Sequence, residues 1–185
     1  MRIDENRTLA WAVLAVCVVV SVFLLGGSSL GRERTKVLKV FNDGVNAKLS
    51  TRHSMDAYLD AAGEQATIMA GEAEIYLGAS DLTAQTAANA ALVGQDAADF
   101  TVRSRAYSEL KGQVEQLYNQ LYAKVSTEEF RNFKLAYDDF WGQDDLLKRD
   151  DYHKLARGYN DLISGFPGGV VAGITHQGAL DTFGG

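Results

Sequence analysis

The sequence predicts an all-α fold: an elongated antiparallel bundle of about three to four long helices, with one N-terminal transmembrane helix. Three observations lead to this prediction. The 185 residues contain one proline and are rich in Ala, Leu, Glu, Gln and Lys, which favour helices. Apolar side chains recur at alternating intervals of three and four residues, the spacing of one face of an α-helix. A stretch near the N-terminus has no charged residue and is long enough to cross a bilayer.

The composition argues against some classes of function. The net charge of −6 disfavours a general nucleic-acid-binding protein, because binding to phosphates needs a concentrated surface of Lys and Arg. Apolar residues make up 46% of the chain, which is enough to form a buried core. The single cysteine, Cys17, has no partner within the chain and lies in the most apolar stretch.

Residues 9–27 read LAWAVLAVCVVVSVFLLGG and form the predicted transmembrane helix, after a short N-terminal segment at residues 1–8. At about 1.5 Å per residue the stretch extends roughly 28 Å, close to the hydrocarbon thickness of a bilayer. A core helix of a soluble domain would carry a polar face. A cleaved signal peptide is the alternative, but Asp4 and Glu5 precede the stretch and no Ala-x-Ala site follows it.

The basic residues flanking this stretch bear on its orientation. Arg2 and Arg7 precede it. The basic residues that follow are Arg32, Arg34, Lys36 and Lys39. The positive-inside rule therefore favours a cytoplasmic C-terminal domain in a single-pass membrane protein. The excess is small, and the free amino terminus reduces it, so the side of the membrane stays open.

A linker is predicted at residues 28–35, followed by a bundle domain at residues 36–185. The first long helical stripe of the domain begins at Leu38 and ends at Tyr76. Its members are Leu38, Phe41, Val45, Lys48, Arg52, Met55, Leu59, Ala62, Ala66, Met69, Ala73 and Tyr76. The segment Gly78–Asp81 then supplies a helix stop and an N-cap for the next helix.

The second long helix is predicted from Leu82 to Lys124, with Gly94 and Gly112 weakening it locally. Its apolar stripe is Phe100, Tyr107, Leu110, Val114, Leu117 and Leu121. Short connections on either side of this helix favour antiparallel neighbours.

The third long helix begins with Ser126 and Glu129, which have the spacing of a capping box. It carries two apolar stripes of different phase, both expected to be buried in the core of the bundle: Phe130, Phe133, Tyr137 and Phe140, then Tyr152, Leu155, Tyr159, Leu162 and Phe166. When the first stripe is continued from Phe140 at the same spacing, it reaches Asp144, Leu147, Asp151 and Lys154. This change of phase predicts a kink, a stutter or a short break over Trp141–Asp145. Pro167 ends the helix, because proline lacks a backbone donor and clashes with the preceding turn. A short apolar segment should then fold back on the bundle.

The C-terminal third contains a pattern of eight residues: Arg149, Tyr152, Tyr159, Asn160, Ile163, Phe166, Pro167 and Ala172. This pattern resembles the signature of the LemA family of bacterial membrane-anchored proteins. That signature places an arginine before a Tyr-Asn pair, a second Tyr-Asn pair seven residues later, an apolar position, Phe-Pro and an alanine. His153 replaces the first asparagine, and the early Pro-Asn dipeptide of the family is absent near Arg52. The resemblance implies a roughly four-helix antiparallel bundle with one N-terminal membrane span and no defined reaction.

No catalytic, cofactor-binding or metal-binding residues are predicted. His53, His153 and His176 each lack a second His or Cys at metal-ligand spacing. The paired aspartates between Asp138 and Asp151 do not match a calcium-binding loop. The residues singled out as a family motif are Arg149, Tyr152, Tyr159, Asn160, Phe166 and Pro167. Two interpretations of them stay open: a polar network that sets helix register, or a docking surface near the Phe-Pro corner.

The sequence therefore favours a non-enzymatic scaffold or adaptor of the bacterial envelope. It would be tethered by its single span, and a surface of its coiled-coil-like helical bundle would bind a membrane-protein partner or another copy of itself, but not nucleic acid. The alternative is an extracytoplasmic sensor that binds a small ligand between the helices. A sensor should contain a pocket of roughly several hundred cubic ångströms lined by convergent polar groups.

Overall fold

The computed structural model describes residues 7–45, 54–94 and 100–183, and all the regular secondary structure in these ranges is α-helical. This confirms the all-α prediction. The described helices are α1 (Arg7–Asp43), α2 (Met55–Leu77), α3 (Asp81–Val93), α4 (Phe100–Tyr122), α5 (Arg131–Arg149), α6 (Tyr152–Ser164) and α7 (Gly168–Thr175).

Helix α1 is long and apolar enough to cross a membrane, with a mean hydropathy of 2.5 in its most apolar window. The side chains from Ala10 to Ser21 are all exposed, so no protein core covers this apolar surface. The helix continues through residues 28–35. The linker predicted there is therefore helical. No residue in that segment disfavours the helix strongly enough to end it, because the turns on both sides are helical.

The prediction that the stripe from Leu38 to Tyr76 lies on one continuous helix is wrong. Helix α1 ends at Asp43, and Gly44 follows with φ of 75°, a conformation that glycine adopts without steric cost. Helix α2 starts anew at Met55, where the Ser54 hydroxyl accepts a hydrogen bond from the Ala57 amide at 3.2 Å. Local stop and cap residues therefore override the periodicity. The predicted stripe members at positions 48 and 52 lie outside the described residues.

The described residues form two structural units. The N-terminal unit contains α1 up to Leu38 together with residues 155–180. The core unit contains the described residues between Lys39 and Lys154, together with residues 181–183. Most of α6 and all of α7 group with the N-terminal helix, and the predicted bundle domain at residues 36–185 stays a prediction.

In the core unit, α2 packs against α3, α4 and α5. Helices α4 and α5 run antiparallel, because Tyr107 contacts Phe140 and Tyr122 contacts Phe130, with ring centroids 6.1 and 5.6 Å apart. Helices α2 and α3 approach closely at Gly63, where a Cβ atom would lie 2.8 Å from the carbonyl oxygen of Ala90. The large side chains of this core are fully buried: Met55, Leu59, Met69, Leu110, Leu117, Leu121, Phe133 and Phe140.

The predicted stop between α2 and α3 is confirmed. Gly78 caps α2 with φ of 77°, and Ser80 forms a reciprocal capping box with Thr83 at the start of α3. The predicted second helix appears as α3 and α4, and Gly94 is the C-cap of α3. Residues 95–99, which the prediction also made helical, lie outside the described residues.

The capping-box contacts at Ser126 and Glu129 are present, with the Ser126 amide 3.1 Å from Glu129 Oε2, but α5 begins only at Arg131. The kink predicted over Trp141–Asp145 is wrong in position. Helix α5 runs through that segment and ends at Arg149, and the extended Asp150 separates it from α6. The Asp150 carboxylate accepts the Tyr152 amide at 2.8 Å, which starts α6 in a new phase.

Candidate functional site

The six residues of the predicted family motif lie in different environments. Arg149 is in the last turn of α5, with an exposed side chain that pairs with Asp145 at 2.7 Å. The other five residues follow the break at Asp150. The structure therefore assigns Arg149 a surface ion pair one turn back on its own helix, rather than a contact with the motif tyrosines.

Tyr152 is fully buried in the core unit. Its hydroxyl donates a hydrogen bond to the carbonyl oxygen of Asp181 at 3.0 Å, and its ring centroid lies 5.3 Å from that of Phe41. Phe183 joins the same cluster, 5.6 Å from Phe41 and 4.8 Å from Phe100. Tyr152 therefore ties the C-terminal residues of the chain to an aromatic cluster, which satisfies its hydroxyl while burying its ring.

His153, which stands at an asparagine position of the family signature, is also buried. Its Nε2 atom lies 2.6 Å from the carbonyl oxygen of Leu147. The same carbonyl also accepts the Asp150 amide at 3.3 Å, so the imidazole is a second polar neighbour of the carbonyl at the end of α5. No group of three or more His, Cys, Asp or Glu in the described ranges is arranged to hold a metal ion. The predicted lack of metal and cofactor stays a prediction.

Tyr159 and Asn160 form a clamp in the N-terminal unit. The Tyr159 hydroxyl donates to Oε1 of Gln177 at 3.2 Å. Asn160 pairs with the backbone of Leu180 in both directions: its Nδ2 donates to the carbonyl and its Oδ1 accepts the amide, each at 2.8 Å. We call these four residues the C-terminal clamp. The clamp holds the segment after α7 against α6 through side-chain contacts 18 to 20 residues apart in sequence.

The environment of Tyr159 has opposing effects on its ionisation. Burial raises the pKa of the Tyr159 phenol, while the positive charge of Arg34 on α1 acts to lower it. The hydroxyl therefore stays a neutral donor to Gln177 at physiological pH. The role of the Tyr159 hydroxyl is therefore structural, as a hydrogen-bond donor.

Phe166 and Pro167 form the turn between α6 and α7. Pro167 precedes α7 as its N-cap residue, and α6 ends at Ser164, as the position of the proline predicts. The predicted burial of Leu155, Leu162 and Phe166 is wrong: all three are exposed, Phe166 at 92%. The buried face of α6 is centred on Tyr152, Ala156 and Tyr159, so residues at the edge of the stripe point away from it.

Helix α7 packs on α1. A Cβ atom at Gly26 would lie 3.4 Å from Cγ2 of Val171, and one at Gly27 would lie 3.2 Å from Cγ2 of Thr175. Leu30, Val171 and Ala172 form a small buried cluster. The short apolar segment predicted after Pro167 is therefore a helix, and its partner is the N-terminal helix.

Two open grooves flank this contact in the N-terminal unit. One, of about 360 Å³, lies between α1 at Gly26 and Leu30 and the turn at Phe166 and Pro167. The other, of about 580 Å³, is lined by polar and basic side chains: Ser28, Arg32, Arg34, Thr35, Lys36 and Gln177. The Nε atom of Arg34 is buried without a hydrogen-bond partner. Neither groove was anticipated from the sequence, because each needs α7 beside α1.

The core unit contains two buried charges that the sequence analysis did not single out. Arg103 pairs with Asp56 at 2.6 Å and Asp60 at 3.2 Å, and its Nε donates to the carbonyl oxygen of Val93 at 2.9 Å. Asp144, 2% exposed, pairs with Lys148 at 2.5 Å.

Both buried charges lie at positions of the apolar stripes. This position is the feature of the sequence from which their burial could have been predicted. Arg103 lies between Phe100 and Tyr107 on the stripe of α4. Asp144 continues the stripe from Phe140 toward Leu147, where it was interpreted as a loss of phase. A charge at a stripe position indicates a paired buried ion when partners are available on a neighbouring helix.

Comparison with known proteins identifies no relative: no family model, no curated protein and no solved structure matches the chain. The resemblance to the LemA family therefore stays a prediction that rests on its motif residues.

Proposed function

We propose that the protein is a single-pass, membrane-anchored, non-enzymatic scaffold or adaptor of the bacterial cell envelope and a divergent member of the LemA family. The observation that carries this proposal is α1. Its apolar side chains, such as Trp11 and Val16, are exposed along the whole described part of the stretch. A continuous apolar surface of this size is costly in water and is covered when the helix crosses a bilayer.

The buried polar groups support a structural role for the rest of the chain. Arg103 and Asp144 are each neutralised by opposite charges, and Tyr152, Tyr159 and Asn160 are bonded to backbone or amide groups. These contacts stabilise packing and leave no activated nucleophile among the residues that take part in them. An antiparallel bundle of about three to four long helices is part of this proposal.

The cytoplasmic side is proposed for the C-terminal domain from the basic residues after the span. In a Cys17→Ser background, Glu128→Cys places a thiol at an exposed position before α5. A membrane-impermeant maleimide should label it only after spheroplasts are lysed. Labelling of intact spheroplasts would place the domain outside and overturn this side of the proposal.

The scaffold role is tested by crosslinking in cells. A photoreactive phenylalanine analogue at position 157, an exposed site on α6 close to the clamp, should give a reproducible adduct with one membrane protein or with a second copy. The same analogue at Tyr122, which is exposed on α4, is the matched control. Lack of any protein adduct at both positions would contradict the scaffold role.

The clamp distinguishes docking from structure. If Tyr159→Phe or Asn160→Ala abolishes the adduct without lowering Tm, the motif belongs to a docking surface. If each variant only lowers Tm, the motif sets the packing of the C-terminal segment. Hydrogen bonds of this kind contribute about 0.5–1.5 kcal/mol each, so Asn160→Ala, which removes two, should have the larger effect on Tm.

The second candidate function is an extracytoplasmic sensor. The observation that favours it is the groove of about 580 Å³, where Arg32, Arg34 and Lys36 converge with Gln177. A small anionic ligand bound there should raise the Tm of the wild-type protein and have a smaller effect on Arg34→Ala. Equal shifts in both proteins would exclude the groove as the binding site.

A further inference from the structure

The C-terminal segment that includes the end of α6 and the whole of α7 has an unusual composition. Residues 162–180 contain no Asp, Glu, Lys or Arg, although charged residues are frequent in the rest of the chain after the span. The segment contains the last turn of α6, the turn at Gly165–Pro167 and the whole of α7. The turn interrupts the segment and α7 has only 8 residues, so the segment does not cross a bilayer as one helix.

Its apolar side chains are exposed in a regular row. Leu162, Phe166, Val170 and Ile174 recur every four residues, and their exposed fractions are 54%, 92%, 49% and 58%. We call these four residues the apolar row; they follow one another closely in the sequence, on both sides of the turn between α6 and α7. Exposed apolar side chains gathered in this way are uncommon in a water-soluble region and mark a surface that another phase or molecule covers.

The packing of α7 places this row beside the end of the apolar stretch of α1. Successive contacts join Gly26 to Val171, Gly27 to Thr175 and Gly31 to Gln177, so α7 and α1 run in the same direction. The turn that precedes Val171 therefore lies at the level of Gly26 to Leu30, at the end of the apolar stretch. The groove shared by Gly26, Leu30, Phe166 and Pro167 agrees with this level.

The positions of the charged residues of α1 indicate how deep in the bilayer the turn lies. Arg32, the first charged residue after the apolar stretch, lies six residues beyond Gly26, which is about 9 Å along the helix axis. The contact with Val171 thus falls on the membrane side of the first basic residues, near the boundary between acyl chains and headgroups. An apolar surface at this depth faces lipid.

We propose that the turn between α6 and α7 inserts into the interfacial region of the bilayer that α1 crosses, with Phe166 as its deepest side chain. The occupant of the apolar row is lipid, and the α6–α7 hairpin is a second, non-spanning membrane contact. This inference rests on the proposed membrane anchoring by α1. Its physical basis is the burial of exposed apolar side chains at a bilayer surface, as for interfacial amphipathic helices.

The experiment measures depth with nitroxide spin labels on the full-length protein in vesicles of phosphatidylcholine and phosphatidylglycerol. The native Cys17 reports the span. Phe166→Cys, and separately Val170→Cys, in a Cys17→Ser background report the hairpin. Tyr122→Cys in the same background is the matched control, because Tyr122 is an exposed aromatic residue of the core unit. Collisions with oxygen and with a water-soluble nickel chelate are compared at each position.

Labels at positions 166 and 170 should lose nickel accessibility relative to position 122 while gaining oxygen accessibility, as the label at Cys17 does. A water-accessible hairpin with a protected Cys17 overturns the inference and leaves the membrane anchor intact. A water-accessible Cys17 overturns the anchor and the inference together. Dipolar broadening between labels at position 166 shows that a second copy covers the row and also overturns the inference, and circular dichroism verifies that each variant is folded.

Discussion

The hydroxyl of Tyr107 on α4 donates a 2.8 Å hydrogen bond to Oδ1 of Asp144 on α5, and both residues are buried. Lys148 pairs with the other carboxylate oxygen at 2.5 Å, and the Nζ atom of Lys111 lies 3.8 Å from Oδ1. Buried carboxylates need such partners, because desolvation disfavours an ionised group. This network joins the facing surfaces of two helices and compensates a charge at a position where periodicity calls for an apolar residue.

Removal of the buried carboxylate should destabilise the protein strongly. Asp144→Ala leaves the buried Tyr107 hydroxyl without its acceptor and two partly exposed lysines without their partner, so the free energy of unfolding should fall by about 1–3 kcal/mol. The neighbouring Asp145 makes only an exposed pair with Arg149, so Asp145→Ala should cost about 0–1 kcal/mol. Denaturant unfolding of both variants in detergent micelles checks this difference, and equal losses would contradict the role assigned to Asp144.

The same network predicts a dependence of stability on alkaline pH. Burial, the hydrogen bond to Asp144 and the Asp144 charge raise the pKa of Tyr107 far above its usual value. Above about pH 10 the unfolded chain loses this phenolic proton while the folded protein keeps it. The unfolded state then binds fewer protons, so stability falls with rising pH by about 1.4 kcal/mol per pH unit for this one group.

Tyr107→Phe should therefore show a shallower loss of stability between about pH 10 and 11 than the wild-type protein. The variant should also be less stable at pH 7, because Asp144 loses a hydrogen bond. Tyr122→Phe, which removes an exposed tyrosine, is the control and should keep the wild-type slope. An unchanged slope in Tyr107→Phe would show that this phenol does not set the alkaline behaviour.

The geometry around Arg103 requires a guanidinium group. Its nitrogens engage Asp56, Asp60 and the carbonyl oxygen of Val93 at the same time. Lysine keeps the charge but has no planar fork, so Arg103→Lys should lower the free energy of unfolding by about 1–3 kcal/mol. Arg105 is exposed, 3.9 Å from Glu109, and Arg105→Lys should change stability by less than about 0.5 kcal/mol. If Arg103→Lys is as stable as Arg105→Lys, the three-way contact contributes nothing.

Two glycines of α2 should respond in opposite directions to the same substitution. Gly63→Ala places a methyl group 2.8 Å from the Ala90 carbonyl oxygen and must push α3 away, so it should lower Tm. Gly71→Ala meets no atom within 4 Å and should raise the free energy of unfolding by about 1 kcal/mol through helix propensity. Thermal unfolding followed by circular dichroism compares them, and a stabilising Gly63→Ala would contradict the close packing of α2 and α3.

Structural features that depend only on residues close together in the sequence could be predicted from it. The stop at Gly78, the cap at Ser80 and the helix end before Pro167 follow from backbone preferences over a few residues. The apolar stretch of α1 is equally local. By contrast, the helix end at Gly44 was not predicted, because the apolar residues that follow it in sequence continue the stripe with the same spacing.

The candidate site could be predicted only as a set of residues. The motif identified Tyr159 and Asn160, but their partners Gln177 and Leu180 lie beyond a turn and another helix. Burial of Phe166 was expected from its stripe position and is wrong, because α7 turns the chain so that this ring faces outward.

The sequence by itself determined that the protein is helical, that one N-terminal helix is apolar enough to span a membrane, and where several helices stop. These properties arise from propensities, caps and composition within a few residues. Only the tertiary structure decided which charges are buried, what the clamp holds and which apolar side chains stay exposed. Those properties depend on pairs such as Tyr107 with Asp144 and Val171 with Gly26, which are distant in sequence and meet only when the helices pack.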